Sequence, residues 1–181
     1  PGQIIEPSNI CNDLRTTRQT LVQYLQYLEN AFLIQKLYNF SRDLRKVERK
    51  KKRYYPTILS PDIPFKKDHL TESIVFEWII ITQLQAEFFW RDSSQNEVDI
   101  VLPKDDGEIL PIEIKYGKIK TKPLFRFMKR FKVNKAYIIS SNKKQIIRDD
   151  NYEIQAIPAI EFFLKEKDKI LFQFFPSSAK L

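Results

Sequence analysis

Residues 96–115 read NEVDIVLPKDDGEILPIEIK, two apolar runs joined by a polar loop, each carrying charge where a buried strand should be apolar. No other feature limits the fold as tightly. Short runs rich in Val and Ile, bounded by Asp, Gly and Pro, are strands, and Asp-Asp-Gly between them is hairpin chemistry. A five-residue loop from Lys104 to Glu108 places Asp99 opposite Glu113. Directly opposed residues share one face of a sheet. Lys115, two positions beyond Glu113, joins them. Val98, Ile100, Ile112 and Ile114 then point the other way, into a core. A slip of one residue would separate Asp99 from Glu113, so the register carries the whole expectation.

Two ionised carboxylates on one face repel, and a divalent cation removes that penalty. Mg²⁺ and Mn²⁺ accept such oxygen ligands and retain waters, one of which the metal makes acidic enough to attack a phosphodiester. Lys115 can orient that water or neutralise charge on the phosphate. Glu72 lies on the helical segment DHLTESIVFEWIIITQLQ and shares a face with Val75, Phe76 and Ile79. It is expected to point inward, as a further ligand or base, because a buried carboxylate needs a partner. The same spacing also fits a partly exposed Asp99–Lys115 ion pair with Glu113 solvated.

Charge says who the partner is. Lys and Arg exceed Asp and Glu by 31 to 23, a formal charge of +8, which favours nucleic acid first and an acidic membrane surface second. Much of the excess sits in residues 42–53, with eight Lys or Arg against Asp43 and Glu48. Arg45, Lys46, Arg49, Lys50, Lys51, Lys52 and Arg53 are the expected phosphate contacts there, with Arg18 on the preceding helix. A second basic stretch holds Lys118, Lys120, Lys122, Arg126, Lys129, Arg130 and Lys132 with no acidic residue. It leaves the strand that ends near Lys115 and would flank the carboxylates.

The residue inventory excludes several chemistries. One cysteine, Cys11, and one histidine, His69, cannot build an intrachain disulfide or a Cys- or His-rich metal site. Three glycines cannot form a Gly-rich phosphate loop. No apolar run is long enough to span a bilayer, the start has no signal pattern, and a cytoplasmic setting is expected.

Along the chain, 8–14 reads as a short helix capped by Ser8. A longer one, capped by Thr16 or Thr17, runs to about Ala31 with a stripe of Leu21, Tyr24, Leu25 and Leu28. Strands at 31–40 and 53–59 would flank the basic stretch as a hairpin. Helix, turn, helix and basic hairpin together have the plan of a winged helix. The prolines of 60–65 mark a boundary. Beyond it come a helix from Asp68, strands at 87–92, 135–141 and 152–158, helices at 121–131 and 158–166, and an extended piece at 169–175. Alternation of strands and helices predicts α/β architecture.

Asp99, followed after a hairpin by Glu113-Ile114-Lys115, resembles the signature of the PD-(D/E)XK nucleases, with Glu72 as the acidic residue of the first helix. Val98 stands where that superfamily often has Pro. The longer stretches LTESIVFEWI, FWRDSSQNEVDIVL and ILPIEIKYG resemble the C-terminal half of archaeal and bacterial ATPases of the AAA class. The resemblance implies an α/β (α+β) chain: a winged-helix module over 1–64, then a restriction-endonuclease-like domain over 65–181 with a central mixed sheet flanked by helices. It implies Mg²⁺ or Mn²⁺ on Asp99, Glu113 and the Ile114 carbonyl, with Lys115 and Glu72 as catalytic residues. DNA is the implied partner. An ATPase module is expected in the full-length chain, of which this one, starting abruptly at Pro1, would be a fragment, and a homodimer is allowed. The expected function is metal-dependent DNA cleavage. The alternative is a nuclease fold without activity, serving as a DNA-binding or protein-interaction arm of the ATPase.

Overall fold

A computed structural model describes residues 2, 4, 6–63, 66, 68–104 and 107–166. The chain is mixed α/β (α+β), as expected, and divides into two compact units, 1–87 and 88–181. By contacts, the long helix groups with the N-terminal unit.

In the N-terminal unit, α1 spans Pro7–Asp13 and α2 spans Arg18–Asn30. Pro7 opens α1, where a missing N–H costs nothing, so Ser8 lies inside the helix and does not cap it. Thr17 caps α2 by accepting the Thr20 N–H at 3.1 Å. Of the expected stripe only Leu21 is buried, while Tyr24 and Leu28 are exposed. Strands β1 (Ile34–Asn39) and β2 (Arg53–Pro56) pair antiparallel from Ile34↔Pro56 to Leu37↔Arg53.

The basic stretch between them is not a plain loop. Leu44–Arg49 form helix α3, because Asp43 caps it through the Arg45 N–H at 3.0 Å and Val47 supplies a buried anchor. Helix α4 (His69–Gln83) starts at the expected cap, with Asp68 accepting the Thr71 N–H at 2.8 Å. It is tied to β2: the Tyr55 hydroxyl donates to Glu77 at 2.7 Å and the Trp78 indole to the Pro56 carbonyl at 2.5 Å. These bonds give the physical reason α4 groups with the N-terminal residues.

The C-terminal unit begins with hairpin β3 (Phe88–Arg91) and β4 (Glu97–Val98), paired Trp90↔Val98 and Arg91↔Glu97. Then follow β5 (Ile100–Pro103), β6 (Ile109–Lys115), α5 (Lys122–Phe131), β7 (Lys135–Ser140), β8 (Gln145–Asp149) and β9 (Tyr152–Pro158). A short α6 (Ala159–Glu161) continues into a π-helical turn at Phe162–Glu166. The expected extended piece at 169–175 lies outside the described residues.

Five strands form one mixed sheet in the order β5-β6-β7-β9-β8. β6, β7 and β9 run parallel, with antiparallel β5 and β8 at the edges. Parallel β6 and β7 need a crossover, and α5 supplies it. Leu124, Phe127 and Met128 bury one face of α5, and Phe127 meets Trp90 edge-on at 5.2 Å. Strand β8 is an exposed edge with no apolar alternation, which is why the sequence hides it.

Candidate functional site

The β5–β6 register runs from Ile100↔Ile112 to Pro103↔Ile109, closed by the Lys104 N–H on the Glu108 carbonyl at 2.8 Å. This is the loop and pairing that the apolar alternation requires. Ile100 and Ile112 are buried at 0% exposure. Their burial fixes the parity: Glu113 must face opposite to Ile112 and Ile114.

Asp99 does not continue the ladder. Val98 before it pairs with Trp90 in β4, Ile100 after it pairs with Ile112 in β5, and the chain bends at Asp99 between the two pairings. The Ile114 N–H is satisfied instead by the Asp99 side chain, which accepts it at 2.8 Å through Oδ2. Asp99 thus holds the end of β6 while its carboxylate stays beside Glu113. In an antiparallel pair a residue's N–H and C=O face the same edge, so the Ile114 carbonyl shares the edge on which Asp99 sits.

Glu113 is a buried acid, 5% exposed. Its Oε1 meets the Lys115 ammonium at 2.5 Å, and its Oε2 is buried with no hydrogen-bond partner among the described residues. Burial raises its pKa from 4.5 to about 8, and the nearby charge of Asp99 adds to the rise, against the opposing charge of Lys115. Asp99, Glu113 and Lys115 are therefore brought together. Glu113 is not solvated, so the simple ion-pair alternative fails in that respect.

Glu72 differs from expectation. It is exposed in the first turn of α4, not inward, because the buried positions of that helix are Ile80 and Ile81, near its other end. Among the described residues no three His, Cys, Asp or Glu side chains come together to hold a metal ion. A cation at this place would have two carboxylates, Asp99 and Glu113, and the orphaned Oε2 is the atom that fits one.

The basic residues sort by exposure. Lys118 and Lys120 are exposed on the segment after β6, and Lys122, Arg126, Lys129 and Arg130 are exposed on α5. Arg126 also reaches Asp92 at 3.4 Å and Lys129 reaches Asp149 at 3.8 Å. In the N-terminal unit Arg18, Arg45, Lys46 and Lys51 are exposed, while Lys50 and Lys52 are half-buried. The Arg49 side chain lies outside the described part. Arg53 is a correction: at 6% exposure it is inside, because strand alternation puts it on the same side as buried Tyr55.

Sequence reasoning missed Lys36 and Tyr38. They alternate with buried Leu37 and Asn39 along β1, and that period of two was the available signal. No helix among the described residues is long and apolar enough to cross a membrane.

Residues 1–57 match a family described as Domain of unknown function (DUF8612). Residues 67–162 match one described as Domain of unknown function (DUF4143), a domain found at the C-termini of AAA-type ATPases. No curated protein and no solved structure matches the chain. The DUF4143 match covers more than half of the residues, from the helix that carries Glu72 to the end of the sheet that carries Glu113, and the chain belongs to the DUF4143 family.

Proposed function

We propose that the C-terminal unit is a divalent-cation-dependent DNA nuclease module of an AAA-class ATPase, the ATPase module belonging to the same full-length protein. The observation that carries this reading is the buried, unpartnered Glu113 Oε2 beside Asp99. A buried carboxylate oxygen without a donor is costly, and native folds keep such atoms for a reason. Asp99 and Glu113 would hold Mg²⁺ or Mn²⁺, with the Ile114 carbonyl on the same edge. When bound, the ion supplies Lewis acidity, neutralising phosphate charge and making water more acidic.

The chain's own residues do the rest. Asp99, anchored by the Ile114 N–H, presents a fixed carboxylate. Glu113 would have to be ionised to hold a cation, so affinity should rise with pH up to about 8. Lys115, half-buried and held against Glu113, offers an ammonium to a phosphate oxygen. The exposed cations of α5 bind the DNA backbone without reading its sequence.

The test is cleavage of duplex and branched DNA with Mg²⁺, Mn²⁺ or EDTA. Cutting that requires the ion and disappears in Asp99→Asn and Glu113→Gln supports the reading. Cutting that persists in both variants, or none under any condition, refutes it. A second reading has its own observation, the absence of a third clustered acidic residue among the described residues. In it, the unit binds DNA as an arm of the ATPase and does not cut. It predicts salt-sensitive DNA binding that Asp99→Asn leaves unchanged.

A further inference from the structure

A cleft of about 940 Å³ opens between α2 and the β1–β2 hairpin, wholly within the N-terminal unit. That is the size of a small-ligand site. One wall is apolar, made by Leu21, Val22 and Leu25 of α2. The facing wall carries Lys36, Tyr38 and Lys52, and both ammonium groups lie near the Tyr38 ring, at 5.0 and 5.6 Å from its centre.

Charge in the cleft does not cancel. Lys36 is paired with Glu29 at 2.6 Å, and Lys51 with Glu6. Arg18 and Lys52 remain against Glu48. Neither Arg18 nor Lys52 is paired with a carboxylate among the described residues. The Lys52 ammonium instead donates to the Glu48 carbonyl at 2.6 Å. Its pKa is lowered, by burial first and also by the charges of Lys36 and Arg18, against Glu48. Lys36 and Lys52 thus sit together beside the Tyr38 ring in a half-apolar cleft that Arg18 also lines, an arrangement that an anion relieves. Gln26 and Asn30 add amide donors and acceptors along the cleft.

We infer that this cleft binds one nucleotide unit, with the phosphate at Arg18 and Lys52 and the sugar and base along the apolar face of α2. The anionic group answers the unpaired cations. A body that is part apolar and part hydrogen-bonding answers the wall of α2 and the amides, which inorganic phosphate alone does not. The source is either a free nucleotide or the unpaired end of a DNA strand. The inference stands apart from cleavage at Asp99 and Glu113, since no residue of that site enters it.

The experiment is calorimetric titration of the full chain at about 50 mM salt with dTMP and, separately, with a 5′-phosphorylated tetrathymidylate. At least one should bind. Arg18→Ala and Lys52→Ala should each weaken it about tenfold, the loss of one charge-assisted hydrogen bond, and Lys52→Arg should restore much of it. Tighter binding of dTMP identifies a free nucleotide, and tighter binding of the oligonucleotide identifies a strand end. If Lys52→Ala loses its far-ultraviolet dichroism, the exposed Arg18 variant decides alone. Failure of both ligands to bind, unchanged affinity in the variants, or displacement of dTMP by an equal concentration of inorganic phosphate would overturn the inference.

Discussion

Replacing Glu113 by Gln tests the electrostatics of the buried site without changing its shape. The acid rises from 4.5 to about 8 on folding, chiefly through burial and next through Asp99. At 1.36 kcal/mol per pH unit, that displacement corresponds to about 5 kcal/mol at most. The sign follows from the raised value. The protonated acid is favoured in the fold, so its stabilisation is complete below pH 4.5 and is lost as pH rises through 8. Wild-type protein in EDTA should therefore lose stability steadily between about pH 5 and pH 8, and level off above it. Glu113→Gln has no proton to lose and should show a flatter profile. The variant should gain on the wild type by several kcal/mol over that window, within the bound of about 5. Urea denaturation followed through buried Trp90, at half-unit pH steps, reads the difference directly. Parallel profiles for the two proteins would refute the argument, because they would mean Glu113 titrates alike folded and unfolded.

Other substitutions separate structure from chemistry. Asp99→Ala leaves the Ile114 N–H without its acceptor and should cost about 1–3 kcal/mol in urea denaturation, whereas Asp99→Asn keeps an acceptor and should cost clearly less; equal costs would remove Asp99 from its role at the end of β6. Arg126→Glu with Lys129→Glu reverses two exposed charges on α5 and should flatten the salt dependence of DNA binding by at least about two phosphate contacts. An unchanged slope in filter binding would take α5 out of the DNA interface.

Parts of this were legible in the residues and parts were not, for definable reasons. The hairpin register was readable because Ile100 and Ile112 must be buried together, and a period of two leaves one solution. Helix α5 was readable from Pro123, which suits the first turn of a helix. The bend at Asp99 was not, because it depends on β3 capturing Val98, a contact distant in sequence. Helix α3 was masked by its own charge, since a run of Lys and Arg reads as loop until Asp43 and Val47 are seen as cap and anchor. Glu72 shares a helical face with Val75, Phe76 and Ile79, which suggests burial that the fold does not give it. The helix instead buries Ile80 and Ile81, leaving Ile79 42% exposed. Arg53 misled because its place in a charge cluster outweighed its place in a strand.

Asp99 and Glu113 are proposed to share one cation. Anomalous diffraction from crystals soaked in Mn²⁺ at pH 8.5 or above, past the titration of Glu113 at about 8, tests it most directly. A single strong peak is expected between the two carboxylates, with oxygen distances of about 2.1 Å, and should be lost in Glu113→Gln. A peak elsewhere, or none at this place, would contradict it.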